Sequence, residues 1–175
     1  MPPSNLLDQF SKNGNLGQSV HQLVHYPDVT PDVLCRHARA IGQAGEALVD
    51  SLLLRHGLVT AHLPDGNCAD RLLLLPNRSL KLQVKTRTSP GSRGYVFRMQ
   101  KGFRASGDGC RPYDVGDYDI AALVALPINA VMFTSDQGAT LRIPHERIPQ
   151  ISADPLCSLA SALADLDAVA APELP

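Results

Sequence analysis

The sequence predicts an α/β domain built on a central mixed β-sheet flanked by helices. Three observations predict it: an amphipathic helical stretch opens the patterned part of the chain, short apolar runs separated by turn residues fill its middle, and an Ala/Leu-rich helical stretch follows. Helices on either side of a strand-rich middle bury their apolar stripes by layering on a sheet. At 175 residues the chain has the size of one domain with modest tails. Residues 1–29 are rich in Asn, Gln, Ser and Gly and are expected to form a flexible arm with one short element at 20–25. Residues 30–170 are then a single domain, and residues 171–175 a disordered tail.

The first helix is expected to run from Thr30 to about His56. Thr30 is a suitable N-cap, Pro31 a suitable first helical residue, and Asp32 complements the positive first turn. Leu34, Ala38, Ile41, Gly45, Leu48 and Leu52 recur at spacings of four and three, which places them on one stripe, and Gly57 stops the helix. The runs 58–63, 72–75, 80–86 and 95–99 then read as strands, with Pro76-Asn77 as turn chemistry between two of them. Further strands are expected at 118–126, 130–134 and 141–143, and a second helix from Asp154-Pro155 to Val169.

Charge is distributed unevenly. The chain carries −1 overall, yet between Arg71 and Arg111 ten basic residues face one acid, Asp108. Screening removes interactions beyond roughly 8 Å at physiological salt, so acids elsewhere need not cancel this segment's attraction for phosphates. Arg87, Arg93, Arg98, Lys101 and Arg104, with Tyr95 and Phe103 nearby, are the expected DNA contacts. Nothing in the sequence has the length and apolarity of a membrane helix, and the start of the chain lacks the order of a signal peptide, so a cytoplasmic protein with no membrane partner is expected. The four cysteines are far apart, without zinc-ligand or disulfide-framework spacing, and His56, His62 and His145 lack partner spacing.

The chemistry concentrates in Leu80-Lys81-Leu82-Gln83-Val84-Lys85-Thr86, where apolar and polar residues alternate, so Lys81, Gln83 and Lys85 share one strand face. A hairpin through Pro76-Asn77-Arg78-Ser79 would bring Asp70 back toward Gln83 and Lys85. A carboxylate, an amide and an ammonium then converge, a group suited to phosphodiester hydrolysis with Mg²⁺, which prefers oxygen ligands. Asp70 is the anionic anchor, Gln83 offers its side-chain oxygen, Val84 its backbone carbonyl, and Glu46 binds through water from the helix; Mn²⁺ is the expected substitute. Lys85 can orient or help deprotonate the attacking water and stabilise charge on the phosphate. Gly42 and Gly45 would let the helix sit close to the strands, and Asp65, in Pro64-Asp65-Gly66-Asn67, is a rival ligand that reads as turn chemistry.

Gly45-Glu46 in a first helix, a loop with Pro64, then Asp70 and Gln83-Val84-Lys85-Thr86 resemble the PD-(D/E)XK nuclease superfamily, in the variant whose motif acid is Gln. In appearance they are most like intron-associated homing endonucleases and Holliday-junction-resolvase-like members. The resemblance covers residues 38–88, and Gly116-Asp117-Tyr118-Asp119-Ile120 looks like the strand that follows the site in such proteins. It implies a restriction-endonuclease-like core, metal-binding roles for Asp70 and Gln83, a catalytic Lys85, a supporting Glu46, and Mg²⁺-dependent cleavage of duplex or branched DNA. The chain departs from the pattern in two ways: Gln83 removes one negative charge from the site, which points to a DNA-binding protein without turnover as the second reading, and no crossover helix follows the motif strand. One short chain carries one site and cutting both strands takes two, so a symmetric homodimer or homotetramer is expected.

Overall fold

The computed structural model describes residues 22–102 and 109–170. Arg104 and Phe103, most of the expected arm and the 171–175 tail lie outside the described residues. The chain divides into two compact units, Met1–Ile41 and Gly42–Pro175.

In the first unit, residues 22–27 form a run of turns; the short element expected at 20–25 begins outside the described residues. Helix α1 (Pro31–Arg36) follows, with Pro31 in its first turn and Asp32 at its positive end as expected, although the Thr30 side chain makes no capping bond. The single helix expected from Thr30 onward is divided at His37, whose backbone (φ −105°, ψ 19°) leaves the helical region before α2 (Ala38–Arg55) begins. None of the residues of α1 is buried, so no packing against a core supports it.

The second unit is built on a five-stranded sheet. Its strands are β1 (Val59–His62), β2 (Arg71–Leu74), β3 (Ser79–Arg87), β7 (Ile120–Ala125) and β8 (Ala130–Thr134), in that spatial order. Neighbours are antiparallel except β3 and β7, which run parallel with Gln83 beside Ala121 and Lys85 beside Leu123. The connection between them carries β4 (Tyr95–Arg98), β5 (Gln100–Lys101) and β6 (Arg111–Pro112), and no helix among its described residues. Strand β9 (Thr140–Ile143) pairs with β4 as a separate ribbon, and helices α3 (Ile148–Ala153) and α4 (Cys157–Ala170) follow.

Each face of the sheet has its own core. Leu73, Leu80, Leu82, Val84, Ile120, Ala122 and Val124 pack with Val49, Leu52 and Leu53 of α2 and with Leu159 and Ala162 of α4. On the other face Ala121, Leu123 and Ala125 pack with Tyr95, Phe97, Leu141 and Ile143 of the β4–β9 ribbon and with Ile151 of α3. Strand β7, Ile-Ala-Ala-Leu-Val-Ala, is buried at every position because alternate residues enter different cores, as expected of a strand covered on both sides. Among the described residues, no helix is long and apolar enough to cross a membrane. All four cysteines are free.

Candidate active site

Strand β3 aims Leu80, Leu82 and Val84 into the α2–α4 core, which leaves Gln83 and Lys85 on the face shared with the ribbon. Asp70 stands just ahead of β2, and its amide donates to the Leu82 carbonyl, so the antiparallel pairing continues one residue beyond the strand. The Asp70 carboxylate therefore meets Gln83. Gln83 Nε2 donates to Asp70 Oδ2 at 2.6 Å and to the Val84 carbonyl at 3.1 Å, and the Val84 amide donates to the same Asp70 oxygen at 2.7 Å. Lys85 Nζ donates to the Gln100 carbonyl at 2.8 Å and lies 5.0 Å from the centre of the Tyr113 ring. The structure thus brings Asp70, Gln83, Val84 and Lys85 to one place.

Burial sets the electrostatics. It raises the Asp70 pKa above the ordinary carboxylate value; the Val84 amide opposes this, Glu46 adds to it, and Lys85 and Arg71 oppose it. Burial also lowers the Lys85 pKa from its ordinary value, with the Asp70 charge opposing. Each charged form is thus held at a cost. Such pairs occur where a carboxylate and an amine are kept ready for a charged ligand.

Glu46, which the sequence alone would as readily pair with a nearby arginine, is bound by one, and the sequence pattern did not single out which. Arg71 Nη1 donates to Glu46 Oε2 at 2.9 Å, and Arg71 Nε reaches both Asp50 oxygens at 3.1 and 3.0 Å. Thr60 Oγ1 also donates to Asp50, at 2.7 Å. In the sheet register Arg71 lies beside Leu82, so its side chain, 8% exposed, is on the α2 side. The signal was present: an Arg in phase with Leu73 on an apolar strand face, opposite acids four residues apart on the helix. Glu46 still shares with Asp70 a cleft of about 500 Å³, lined also by His62, Asp65, Asn67 and Arg71. Arg71→Met would leave two half-buried carboxylates without their cation, and chemical denaturation is expected to show a loss of about 3 kcal/mol. An unchanged midpoint would contradict this.

The two glycines near Glu46 differ. A Cβ at Gly45 would stand 2.0 Å from Thr86 Oγ1 and 3.1 Å from Thr86 Cβ, whereas one at Gly42 would meet nothing within 4 Å. Only Gly45, therefore, brings α2 against the motif strand. Gly45→Ala is expected to lower stability by about 1–3 kcal/mol despite alanine's better helix propensity, because central β3 has little room to yield. Part of the loss should return in the double variant with Thr86→Ala, and thermal melts of the four proteins in this cycle check it.

Of the residues expected to contact DNA, Arg87 and Arg98 line a cleft of about 430 Å³ with Lys85, Thr86, Val96 and Phe97. Arg93 is exposed on the turn before β4, where Gly94 (φ +113°) packs so tightly that a Cβ would meet the Ile143 carbonyl at 2.1 Å. Lys101 differs from the exposed position expected of it. Its ammonium is held between Asp114 at 2.7 Å and Asp117 at 2.5 Å, and its side chain is 13% exposed. Lys101 is the first cause of the lowered Asp117 pKa, about 2.

The oxygens at this site suit a hard cation. Asp70 Oδ2 and the Val84 carbonyl already converge on one positively polarised group, the Gln83 amide nitrogen. Turning that amide over would put its oxygen in the nitrogen's place, giving a carboxylate, a carbonyl and an amide oxygen, a donor set that fits Mg²⁺. Among the described residues no group of three or more His, Cys, Asp or Glu side chains could hold a metal, so any ligation here would depend on backbone and amide oxygen as well as acid.

No family model matches the sequence, and neither does any curated protein. Among solved structures, the chain is similar to a bacterial homing endonuclease, I-Ssp6803I, with a TM-score of 0.52 and 18% identity over 60% of this chain and 76% of that one. The likeness is one of fold, a nuclease-like α/β architecture.

Proposed function

We propose that this chain is a Mg²⁺-dependent endonuclease that hydrolyses phosphodiester bonds in duplex or branched DNA, built as a Gln variant of the PD-(D/E)XK pattern. The observation that carries this reading is the meeting of Asp70, Gln83, Val84 and Lys85 between an acid-lined and a base-lined cleft. The fold shared with a homing endonuclease supports it.

Asp70, the Val84 carbonyl and Gln83 would hold Mg²⁺, with Glu46 assisting from the shared cleft. The ion would supply Lewis acidity and charge neutralisation at the phosphate. Arg87, Arg93 and Arg98 hold neighbouring backbone phosphates and set the strand's register, with Arg104 in the same role. Burial lowers the Lys85 pKa, so more of it is neutral at a given pH than of a surface lysine; the neutral amine can take a proton from the attacking water, and the ammonium so formed then stabilises charge on the reacting phosphate. Two copies in a symmetric homodimer, or four as a dimer of dimers, would supply a site for each strand.

Plasmid and branched DNA incubated with the protein and Mg²⁺, beside Asp70→Ala and Lys85→Ala, test the reading. Metal-dependent cleavage lost in both variants supports it. A second reading, a DNA-binding protein without turnover, draws support from the Gln83 amide nitrogen standing between the two oxygens that would hold the ion. Binding that survives both substitutions, with no cleavage by the parent, would establish that second reading instead.

A further inference from the structure

Among the described residues, the Lys85 ammonium meets the Gln100 carbonyl and the Tyr113 ring, and both come from one small substructure. Gln100 and Lys101 (β5) pair with Pro112 and Arg111 (β6), so Tyr113 emerges beside Gln100 at the end of the ribbon nearest Lys85. Just beyond it, residues 114–117 form a closed turn in which the Asp117 amide donates to the Asp114 carbonyl at 3.1 Å. In return the Asp114 amide donates to Asp117 Oδ2 at 2.7 Å. Lys101 clasps both carboxylates of this turn, and Lys81 Nζ donates to its Gly116 carbonyl. The Tyr113 ring is braced by buried Tyr118, edge to face at 5.1 Å and 88°. Two lysines and an aromatic neighbour therefore hold one tyrosine in place, and its ring faces the ammonium of a third lysine.

We propose that Tyr113 is a positioning residue for Lys85, and that Lys101, through Asp114 and Asp117, is the latch that holds Tyr113 there. The assignment of a reaction to Lys85 rests on the nuclease reading above; the placement of its ammonium by Tyr113 does not. A lysine is a compact charge on a flexible four-carbon stem, and its ammonium has three donors. A carboxylate neighbour would neutralise that charge. An aromatic face attracts it by its quadrupole and leaves hydrogens available. With one hydrogen on the Gln100 carbonyl and the ring on another side, the remaining direction is open to water or phosphate. Lys101, inside the run of basic residues, is thereby a structural cation rather than a DNA contact.

Tyr113→Phe keeps the ring and Tyr113→Leu removes it. Two readouts are taken on both, with thermal melts as the check on folding. In NMR spectra of the full-length protein labelled with ¹³C-lysine, assigned by the signal lost in Lys85→Met, the Lys85 ε-methylene protons should be shifted upfield by the ring in the parent and Tyr113→Phe. They should return to the ordinary lysine position in Tyr113→Leu. In cleavage assays, kcat should fall about tenfold in Tyr113→Leu with KM for DNA little changed, and Tyr113→Phe should restore it. Lys101→Gln, which loosens the latch without touching Lys85, should weaken the ring shift and lower kcat in the same direction. An unshifted Lys85 signal in the parent, or one that Tyr113→Leu leaves in place, overturns the proposal; so does a Tyr113→Phe variant as slow as Tyr113→Leu. Should the parent cut no DNA, the nuclease reading fails while the NMR comparison still decides whether Tyr113 places Lys85.

Discussion

Asp70→Asn is expected to abolish Mg²⁺-stimulated cleavage, by at least about a thousandfold, and to leave the apoprotein more stable at neutral pH than its parent. The loss of activity follows because, among the described residues, Asp70 is the carboxylate that accepts from the N–H groups of Gln83 and Val84, whose oxygens would complete the ligand set. The gain in stability follows from burial. Asp70 has a pKa raised above its ordinary 3.8, so ionisation is harder in the folded chain than in the unfolded one. Its penalty is absent where both states are protonated, grows as pH rises through the unfolded value, and is complete above the folded one. Asparagine is neutral throughout, and its oxygen can still accept from the Val84 amide and Gln83. The difference in melting temperature between variant and parent should therefore open as pH rises above about 4 and stay open once pH exceeds the raised folded-state value. A variant less stable than the parent at neutral pH would show that the carboxylate charge helps hold the fold.

Lys85→Met should reduce the rate by about 10²–10³-fold while leaving DNA affinity close to the parent's, since Arg87 and Arg98 remain on the cleft wall. Methionine fills similar space without a buried charge, so folding should not suffer. The pH profile makes the role of the amine visible. A lysine acting as base works in its neutral form, and lowering its pKa from 10.5 moves the rising limb of activity to lower pH than a surface lysine would give. That limb should be missing from whatever residual activity Lys85→Met retains. A limb unchanged in the variant would assign it to another group.

The parts of the site that the sequence disclosed are those set by local geometry. Alternation along residues 80–86 places Gln83 and Lys85 on one face whatever the strand pairs with, and the short hairpin leaves Asp70 little freedom in register. The helix-first, strand-rich order likewise carried the layered fold. What remained hidden depends on pairings distant in the chain. Ribbon β4–β9 joins residues about 45 apart, and that pairing supplies much of the cover over Ala121 and Leu123. The charge run from Arg71 to Arg111 told which residues are basic but not which are already paired: Arg71 belongs to Glu46 and Asp50, and Lys101 to Asp114 and Asp117. Helix α3 escaped notice because six residues are too few to show a helical period. His37 interrupts a stripe that looks continuous, since periodicity records which face is apolar and not whether every backbone position along it stays helical.

Anomalous scattering from Mn²⁺ soaked into crystals of the parent tests the site most directly. A single peak is expected where the Asp70 carboxylate, the Val84 carbonyl and a turned-over Gln83 amide oxygen meet, with ligand distances of about 2.1–2.3 Å, and it should vanish in Asp70→Asn. Mn²⁺ bound elsewhere on the chain, with the Gln83 nitrogen still seated between Asp70 and Val84, would contradict the assignment of these residues as a metal-dependent hydrolytic centre.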